Sequence, residues 1–546
     1  MEQNVQPPSL QQKPLPAPLI LNDYPDVPNV ASSPTFSGQS SSHIGDILPP
    51  AHTHRTLVLC FDGTGDQFDS DNSNIVQLFS MLVKDDPTQQ LVYYQAGIGT
   101  YSIPEMATPF MAKVSKTVDM MIGNHLNAHV MGGYEFLMQN YAAGDKICIF
   151  GFSRGAYTAR ALAGMIHKVG LLPTCNHQQV PFAYNMYSRD DPEGWAQSNA
   201  FKKAFSINVD IEFVGVWDTV SSVGIIPKRL PFTRANNNIK YFRHAISLDE
   251  HRVRFKPNLY TRPTEEDKKC GVKHHEMPRS IRRRFQKRQE SEIKGSPDSD
   301  DTKGSHHHHH AEQQDLLERQ YSTDELIVET NVEEVWFAGC HCDVGGGSVK
   351  NGTRNSLARI PLRWMIRQLF KLNIGILFHR SMFPKIGMDP GTLYPFAKRP
   401  PAIFQLPTVL SPPGTPNSTI KALTLPPPKV VTDDPAMIVY SDGGKFVSEE
   451  LEDLADATSP MYDQLRLARV WWVLEVIPQL LHYQKDDDDS LVDEYTVNMG
   501  HGRHVQLQHK GVKVHRSVKI RMEADNLEGG KYWPKAKLKV EPEWVD

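Results

Sequence analysis

The sequence predicts an α/β fold, a mostly parallel sheet with helices on both faces, and two observations carry that expectation. Short apolar runs of strand length alternate with segments of helical spacing between residues 56 and 217, the pattern that sets parallel strands between crossover helices. One of these runs, Ile147-Cys148-Ile149-Phe150, passes without a break into Gly151-Phe152-Ser153-Arg154-Gly155-Ala156 and on into Tyr157 to Ala163, which has helical character. A serine at such a strand-to-helix turn projects its hydroxyl from the sheet's edge, and flanking glycines let the backbone turn without a Cβ clash. The amides opening the helix favour negative charge there. The five-residue pattern alone is a weak signal, and a buried strand-turn-helix without chemistry is the competing reading.

Taken in order, residues 1 to 52 carry ten prolines among Ser, Gln and Asn, too little apolar surface to offset ordering entropy, so a disordered tail is expected. Thr56-Leu57-Val58-Leu59-Cys60-Phe61 reads as a buried parallel strand running into an Asp62-Gly63-Thr64-Gly65 loop. Asn74 to Leu82 reads as helix, Gln90 to Tyr94 as strand, Leu126 to Tyr141 as helix, Lys146 to Phe150 as strand, and Asp210 to Trp217 as strand. The catalytic core is expected over 53–263 and 323–400. It is interrupted at 264–322 by a disordered insertion holding the basic cluster Arg279, Arg282, Arg283, Arg284, Lys287 and Arg288 and five consecutive histidines. That cluster is read as a solvated loop before a nuclear-import signal or a contact for anionic lipid.

Glu334 to Gly339 reads as strand and Leu357 to Leu372 as helix with Leu362, Met365, Ile366 and Leu369 on one face. Residues 401–546 are expected to form a cap or accessory region packed on the core, with a proline-rich surface loop from Pro400 to Pro428. The apolar run Leu465 to Leu481, with Trp471 and Trp472, is too short to span a bilayer and is read as a buried helix rather than a membrane-contacting lid.

The chain of 546 residues, 39% hydrophobic and 22% charged, suffices for one large core or two domains. A formal charge of -4 gives no global reason to expect nucleic acid as a partner. Six cysteines are few for this length, which favours a reducing compartment. With no signal-like start and no run of 18 apolar residues, a cytoplasmic protein is expected, with peripheral membrane contact left open.

A serine hydroxyl needs a neighbouring base, and that base needs a third group to fix its tautomer. In this sheet type the partners follow in the order serine, acid, histidine. Asp218, at the end of the Phe213 to Trp217 run, and His341, after the Val335 to Gly339 run, fit that order behind Ser153. Asp218 also reads as a helix cap for Thr219-Val220-Ser221. His341 also reads as a core histidine or, between Cys340 and Cys342, as part of a metal site. Alternation along a strand would turn both cysteines away from His341, and no second Cys or His pair has zinc-site spacing, so no metal is expected. The backbone N–H of Arg154 is the expected first oxyanion donor, and the loop at Gly63 and Thr64 the source of the second. That loop equally reads as a phosphate-binding or merely tight turn. Asp62 and Asp343 are expected to support the site.

Four ordered motifs, Leu59-Cys60-Phe61-Asp62-Gly63-Thr64, Gly151 to Ala156, Val214-Gly215-Val216-Trp217-Asp218-Thr219-Val220 and Trp336 to Gly346, together resemble one family. It is the α/β-hydrolase domain, formerly of unknown function, that forms the catalytic domain of type VI secretion phospholipase effectors and has many fungal members. The resemblance covers residues 55 to about 375, and Val514 to Val518 with Tyr532-Trp533-Pro534 look like the family's carboxyl-terminal pattern. It implies a Ser153, Asp218, His341 triad, no cofactor, and activity on ester bonds, with phospholipids cleaved in the effector branch. Cys342 stands where members often carry a small polar residue, and the basic, His-rich insertion departs from the family. The expected function is a serine esterase acting on lipids through an acyl-enzyme, with an ester or phospholipid as partner. A catalytically silent binding module and an acyltransferase remain the alternatives, and oligomeric state is not legible.

Overall fold

A computed structural model describes residues 45–50, 54–97, 126–220, 230–261, 272–273, 323–324, 330–399, 446, 448–484, 491–505, 511–525, 527 and 530–546. Most of the expected tail and insertion and the Pro400 to Pro428 loop lie outside the described residues.

The core is one eight-stranded sheet built from β1 (Thr56–Phe61), β2 (Gln90–Gln95), β3 (Lys146–Phe152), β4 (Ile211–Trp217), β5 (Ile239–Ser247), β6 (Asn331–Phe337), β7 (Lys513–His515) and β8 (Glu543–Val545). Its order is β2-β1-β3-β4-β5-β6-β7-β8, and every neighbouring pair is parallel. A parallel sheet covered on both sides needs strands that are apolar throughout rather than alternating. β1 shows this: all six residues are buried, with Leu57, Leu59 and Phe61 in one core layer and Val58 and Cys60 in the other.

The first layer holds α2 (Leu126–Asn140), α3 (Ser153–Val169), α4 (Val180–Ser188) and α5 (Pro192–Phe205), and the second holds α1 (Asn74–Met81) and α7 (Arg359–Lys371). Between them in sequence, α6 (His341–Gly345) is a single short turn. Every residue of α3 is buried. Its approach to the sheet is so close that a Cβ on Gly155 would fall 2.3 Å from the Asp62 carbonyl oxygen and 2.4 Å from that of Phe61. Glycine is therefore a packing requirement at that position.

β5 is a strand the sequence does not announce, because Arg243 and His244 interrupt its apolar run. Both are buried and partnered: Arg243 Nε donates to Gln368 Oε1 at 3.0 Å, and His244 meets Glu334 Oε1 at 2.9 Å. Buried polar groups of this kind are tolerated because their hydrogen bonds are met.

Four expectations about chain organisation change. Ile47–Leu48, within the segment expected to be tail, pair with Phe378–His379, and Leu48 is buried. Val272–Lys273, inside the expected insertion, pair with Thr323–Asp324, where the core is expected to resume. The carboxyl-terminal region is not only a cap: β7 pairs with β6 and β8 with β7, extending the core sheet, and Val512, Val514 and Val518 pack with Ile246 and Trp336. Three-residue strands are too short for a period to be read. Finally, the Leu465 to Leu481 run is not a buried helix. It breaks into turns at Gln464–Leu467, Arg469–Trp471 and Trp472–Glu475, followed by a strand, Gln479–Gln484. Pro478, lacking an N–H and disfavouring helical geometry at Ile477, ends the helical turns.

The apolar face of α7 enters the second layer, while its other face is ionic. Arg359, Arg363 and Arg367, spaced one turn apart, meet Glu449, Glu452, Asp453 and Asp456 of α8 (Glu449–Ala457). Arg363 lies 2.7 Å from Asp453 and 2.6 Å from Asp456, with all three side chains almost wholly buried. Removing one partner of a buried pair leaves the remaining charge uncompensated. Arg363→Met is therefore expected to lower stability by about 3–5 kcal/mol, measured by urea denaturation; a loss under about 1 kcal/mol would show that the network holds nothing.

Candidate active site

The strand order reverses between β1 and β3: from β1 the chain goes out to β2 on one side and returns to β3 on the other. In open parallel sheets the crevice beyond the strand carboxyl ends at such a point is where ligands bind. Here it lies between the Asp62–Gly65 loop after β1 and the β3–α3 turn.

Ser153 sits on that turn with φ +58°, after Phe152 in extended geometry. A non-glycine residue held there stores roughly 1–3 kcal/mol of strain, which the packed turn absorbs. Asp218, directly after β4, also has positive φ, at +40°. His341 opens α6. The structure brings the three together: His341 Nε2 lies 2.7 Å from Ser153 Oγ, and His341 Nδ1 lies 2.5 Å from Asp218 Oδ2. All three are buried, and the imidazole is held by Phe152 at 4.7 Å and by Phe255, edge-on, at 4.8 Å between ring centroids.

Asp218 has no solvent contact. Burial alone would raise its pKa, but the Arg503 guanidinium and the His341 hydrogen bond outweigh this and hold the carboxyl well below the usual carboxylate range. Arg503 Nη1 donates to Asp218 Oδ1 at 2.5 Å and Nη2 to Oδ2 at 2.9 Å, while the Ser247 amide donates to Oδ1 at 2.9 Å. Arg503 is itself fixed by the Ser247 and Phe255 carbonyls. Burial lowers the His341 pKa, with Asp218 opposing that shift. The imidazole is thus neutral near pH 7, donating through Nδ1 to Asp218 and accepting at Nε2 from the serine hydroxyl.

Arg503 and Glu250 are absent from the sequence reading. Glu250 Oε2 accepts the His341 amide at 3.3 Å, and its pKa, which burial would raise, is brought down to about 2 by Arg252. No motif marks either residue, since both reach the site from loops distant in sequence.

The expected supporting residues are placed as follows. Asp62 accepts from Ser73 Oγ at 2.6 Å, Tyr94 Oη at 2.7 Å and the Gly63 amide at 2.8 Å, which pins the loop after β1. Through that last contact the Gly63 N–H is already engaged by the Asp62 carboxylate. The Arg154 side chain also donates to Thr64 Oγ1, tying the two loops together. Asp343 accepts the Cys340 and Tyr462 amides at 2.9 and 3.0 Å, capping α6, and burial raises its pKa to about 6. Because His341 and Cys342 stand on a helical turn rather than a strand, they do not face opposite ways: both line the same cleft.

That cleft encloses about 230 Å³, and its walls mix Val220, Phe255 and Trp471 with Arg154, Arg252 and Arg254. A larger recess of about 380 Å³ near Lys350 and Lys385 does not include Ser153.

A parallel α/β sheet with an aligned serine, histidine and aspartate at its switch point defines a hydrolase-type site. Residues 55–368 match the catalytic domain of the Tle1-like phospholipase effectors of the type VI secretion system. The chain belongs to that family and is a phospholipase-like hydrolase. It is 27% identical over 575 residues to the uncharacterized protein YEL023C of Saccharomyces cerevisiae, covering 88% of this chain and 81% of that protein. Among solved structures, an uncharacterized protein from Pseudomonas aeruginosa matches at 16% identity and TM-score 0.29, over 59% of this chain and 46% of that one. The Tle1 effector bound to the VgrG spike matches at 18% identity and TM-score 0.21, over 40% and 49%. The chain thus spans under half the length of both solved chains.

The Arg503 contact sets a pH dependence of stability. In Arg503→Met, burial of Asp218 is opposed only by His341 and the Ser247 amide, so its folded pKa is expected to rise from its depressed wild-type position toward and past the unfolded value of about 3.9. A raised carboxyl favours the fold below the unfolded pKa and loses that contribution as pH rises through the folded one. The wild type, with its depressed Asp218, keeps its contribution across that window. The stability gap between the two is therefore expected to widen from pH 4 to pH 8, as read by urea denaturation; a gap independent of pH would sink the assignment.

Proposed function

We propose that the chain is a serine esterase that cleaves carboxylic ester bonds in phospholipids through an acyl-enzyme. The observation that carries this reading is the continuous hydrogen-bonded line from Ser153 Oγ through His341 to Asp218. His341 Nε2 takes the hydroxyl proton as Ser153 Oγ bonds to the ester carbonyl carbon. Negative charge on the carbonyl oxygen is met by the amides of Arg154 and Thr64 at the start of α3 and in the loop after β1. Collapse breaks the bond to the leaving alkoxide, which receives the proton from His341, and water repeats the sequence to free the acid. Asp218 stabilises the transient imidazolium, and Arg503 keeps Asp218 ionised and in place. The mixed lining of the cleft supports the lipid class, since apolar rings accept acyl chain and arginines suit a phosphate diester. Among the described residues no helix is long and apolar enough to cross a membrane.

Labelling of purified protein with a fluorophosphonate probe, with the modified peptide identified by mass spectrometry, tests the mechanism. Modification confined to Ser153 and lost in Ser153→Ala is expected, and an unmodified folded protein would overturn it. With a soluble ester, kcat/KM is expected to rise with pH and reach half its plateau below 6.5, because burial lowers His341 from that value. A midpoint above 7 would exclude His341 as the base.

A further inference from the structure

The segment 464–477 borders the cleft and exposes a cluster of apolar side chains. Leu467, Trp472, Val473, Val476 and Ile477 are 65, 42, 62, 55 and 44% exposed, while Gln464 and Trp471 line the cleft itself. The inner side of the same segment is firmly tied down. The buried Glu475 carboxylate accepts the Val253 amide at 2.6 Å, Asn498 Nδ2 at 2.6 Å and the Gly500 amide at 2.9 Å. Asp463, at its start, accepts the Leu465 amide at 3.1 Å and meets His251 at 2.9 Å. The Trp471 ring stands edge-on to Phe255 at 5.6 Å, and Phe255 in turn contacts His341. The exposed side is therefore a fixed surface continuous with the site, and Tyr495, Val497 and Met499 on the adjoining chain are exposed as well.

Its charge is one-sided. Arg466 and Arg469 are exposed among the apolar residues, and Glu475, the single acid between Gln464 and Pro478, faces inward. Tryptophan with aliphatic side chains and interleaved arginines is the composition that lies in a headgroup layer, rings at the acyl boundary and guanidinium groups on phosphate. Turns of four, three and four residues are far below spanning length, so contact would be in the plane of the interface.

We propose that this face seats the protein on an anionic phospholipid surface with the cleft opening onto the bilayer. The inference rests on the lipid reading of the site and names where the substrate is met.

The test uses the full chain carrying Ser153→Ala, so that binding is read without hydrolysis, in co-sedimentation with phosphatidylcholine vesicles and with vesicles also containing phosphatidylserine. Binding is expected to the mixed vesicles and to be weaker to phosphatidylcholine alone. Adding Val473→Glu with Ile477→Glu is expected to cut it about tenfold or more, and Arg466→Glu with Arg469→Glu to remove only the phosphatidylserine-dependent part. An unchanged denaturation midpoint in each variant secures the comparison. Absent binding, or equal binding by the Val473→Glu, Ile477→Glu variant, overturns the proposal. So does a wild-type dimer that this variant converts to monomer without any vesicle binding, which would make the patch a contact between copies. Patch-dependent binding by a protein whose Ser153 takes no fluorophosphonate would keep the membrane face and remove the esterase.

Discussion

Asp218 ties four segments of this molecule together. It ends β4, receives the imidazole of His341 from α6, takes the Ser247 amide at the end of β5, and is clamped through both oxygens by Arg503 from the carboxyl-terminal region. A carboxylate without solvent contact is costly to bury unless a counter-charge and hydrogen bonds replace water. Here those replacements come from chain segments remote from one another in sequence, so ionising this group and assembling the site are one requirement. The imidazole then inherits its orientation, and the strained Ser153 turn its partner.

The same economy recurs where α8 docks. Three arginines on one face of α7 meet four carboxylates of α8 out of water, an arrangement whose geometry specifies where the later chain must lie more narrowly than apolar contact would. Pairing of this kind offers specificity more than net stability. It positions the chain that continues into the rim of the cleft and on to Arg503.

The legible parts of the fold were those governed by local pattern. The apolar runs of β1, β3 and β4, the helical spacing of α1, α2 and α7, and the serine turn all declare themselves within a few residues, and the order Ser153, Asp218, His341 follows the sheet. What could not be read depends on partners across the fold. β5 hides because Arg243 and His244 look like surface residues until Gln368 and Glu334 are in place. Gly63 looks like an available amide until Asp62 is seen to occupy it. The run from Leu465 has the composition of a buried helix, but Pro478 and the inward pull of Glu475 break it into turns. Arg503, with no motif around it, gives no sign of pairing with a carboxylate nearly three hundred positions earlier.

That last pairing changes what counts as a unit in this chain. The match to the family's catalytic domain ends at residue 368, yet β7 and β8 complete the sheet and Arg503 supplies the charge that holds Asp218 ionised. The matched catalytic domain is therefore smaller than the folding unit, and the similarity to the yeast relative, over 88% of this chain, extends past it. A change after residue 368 can therefore alter how Asp218 is held, although the carboxylate and its guanidinium partner stand far apart in sequence.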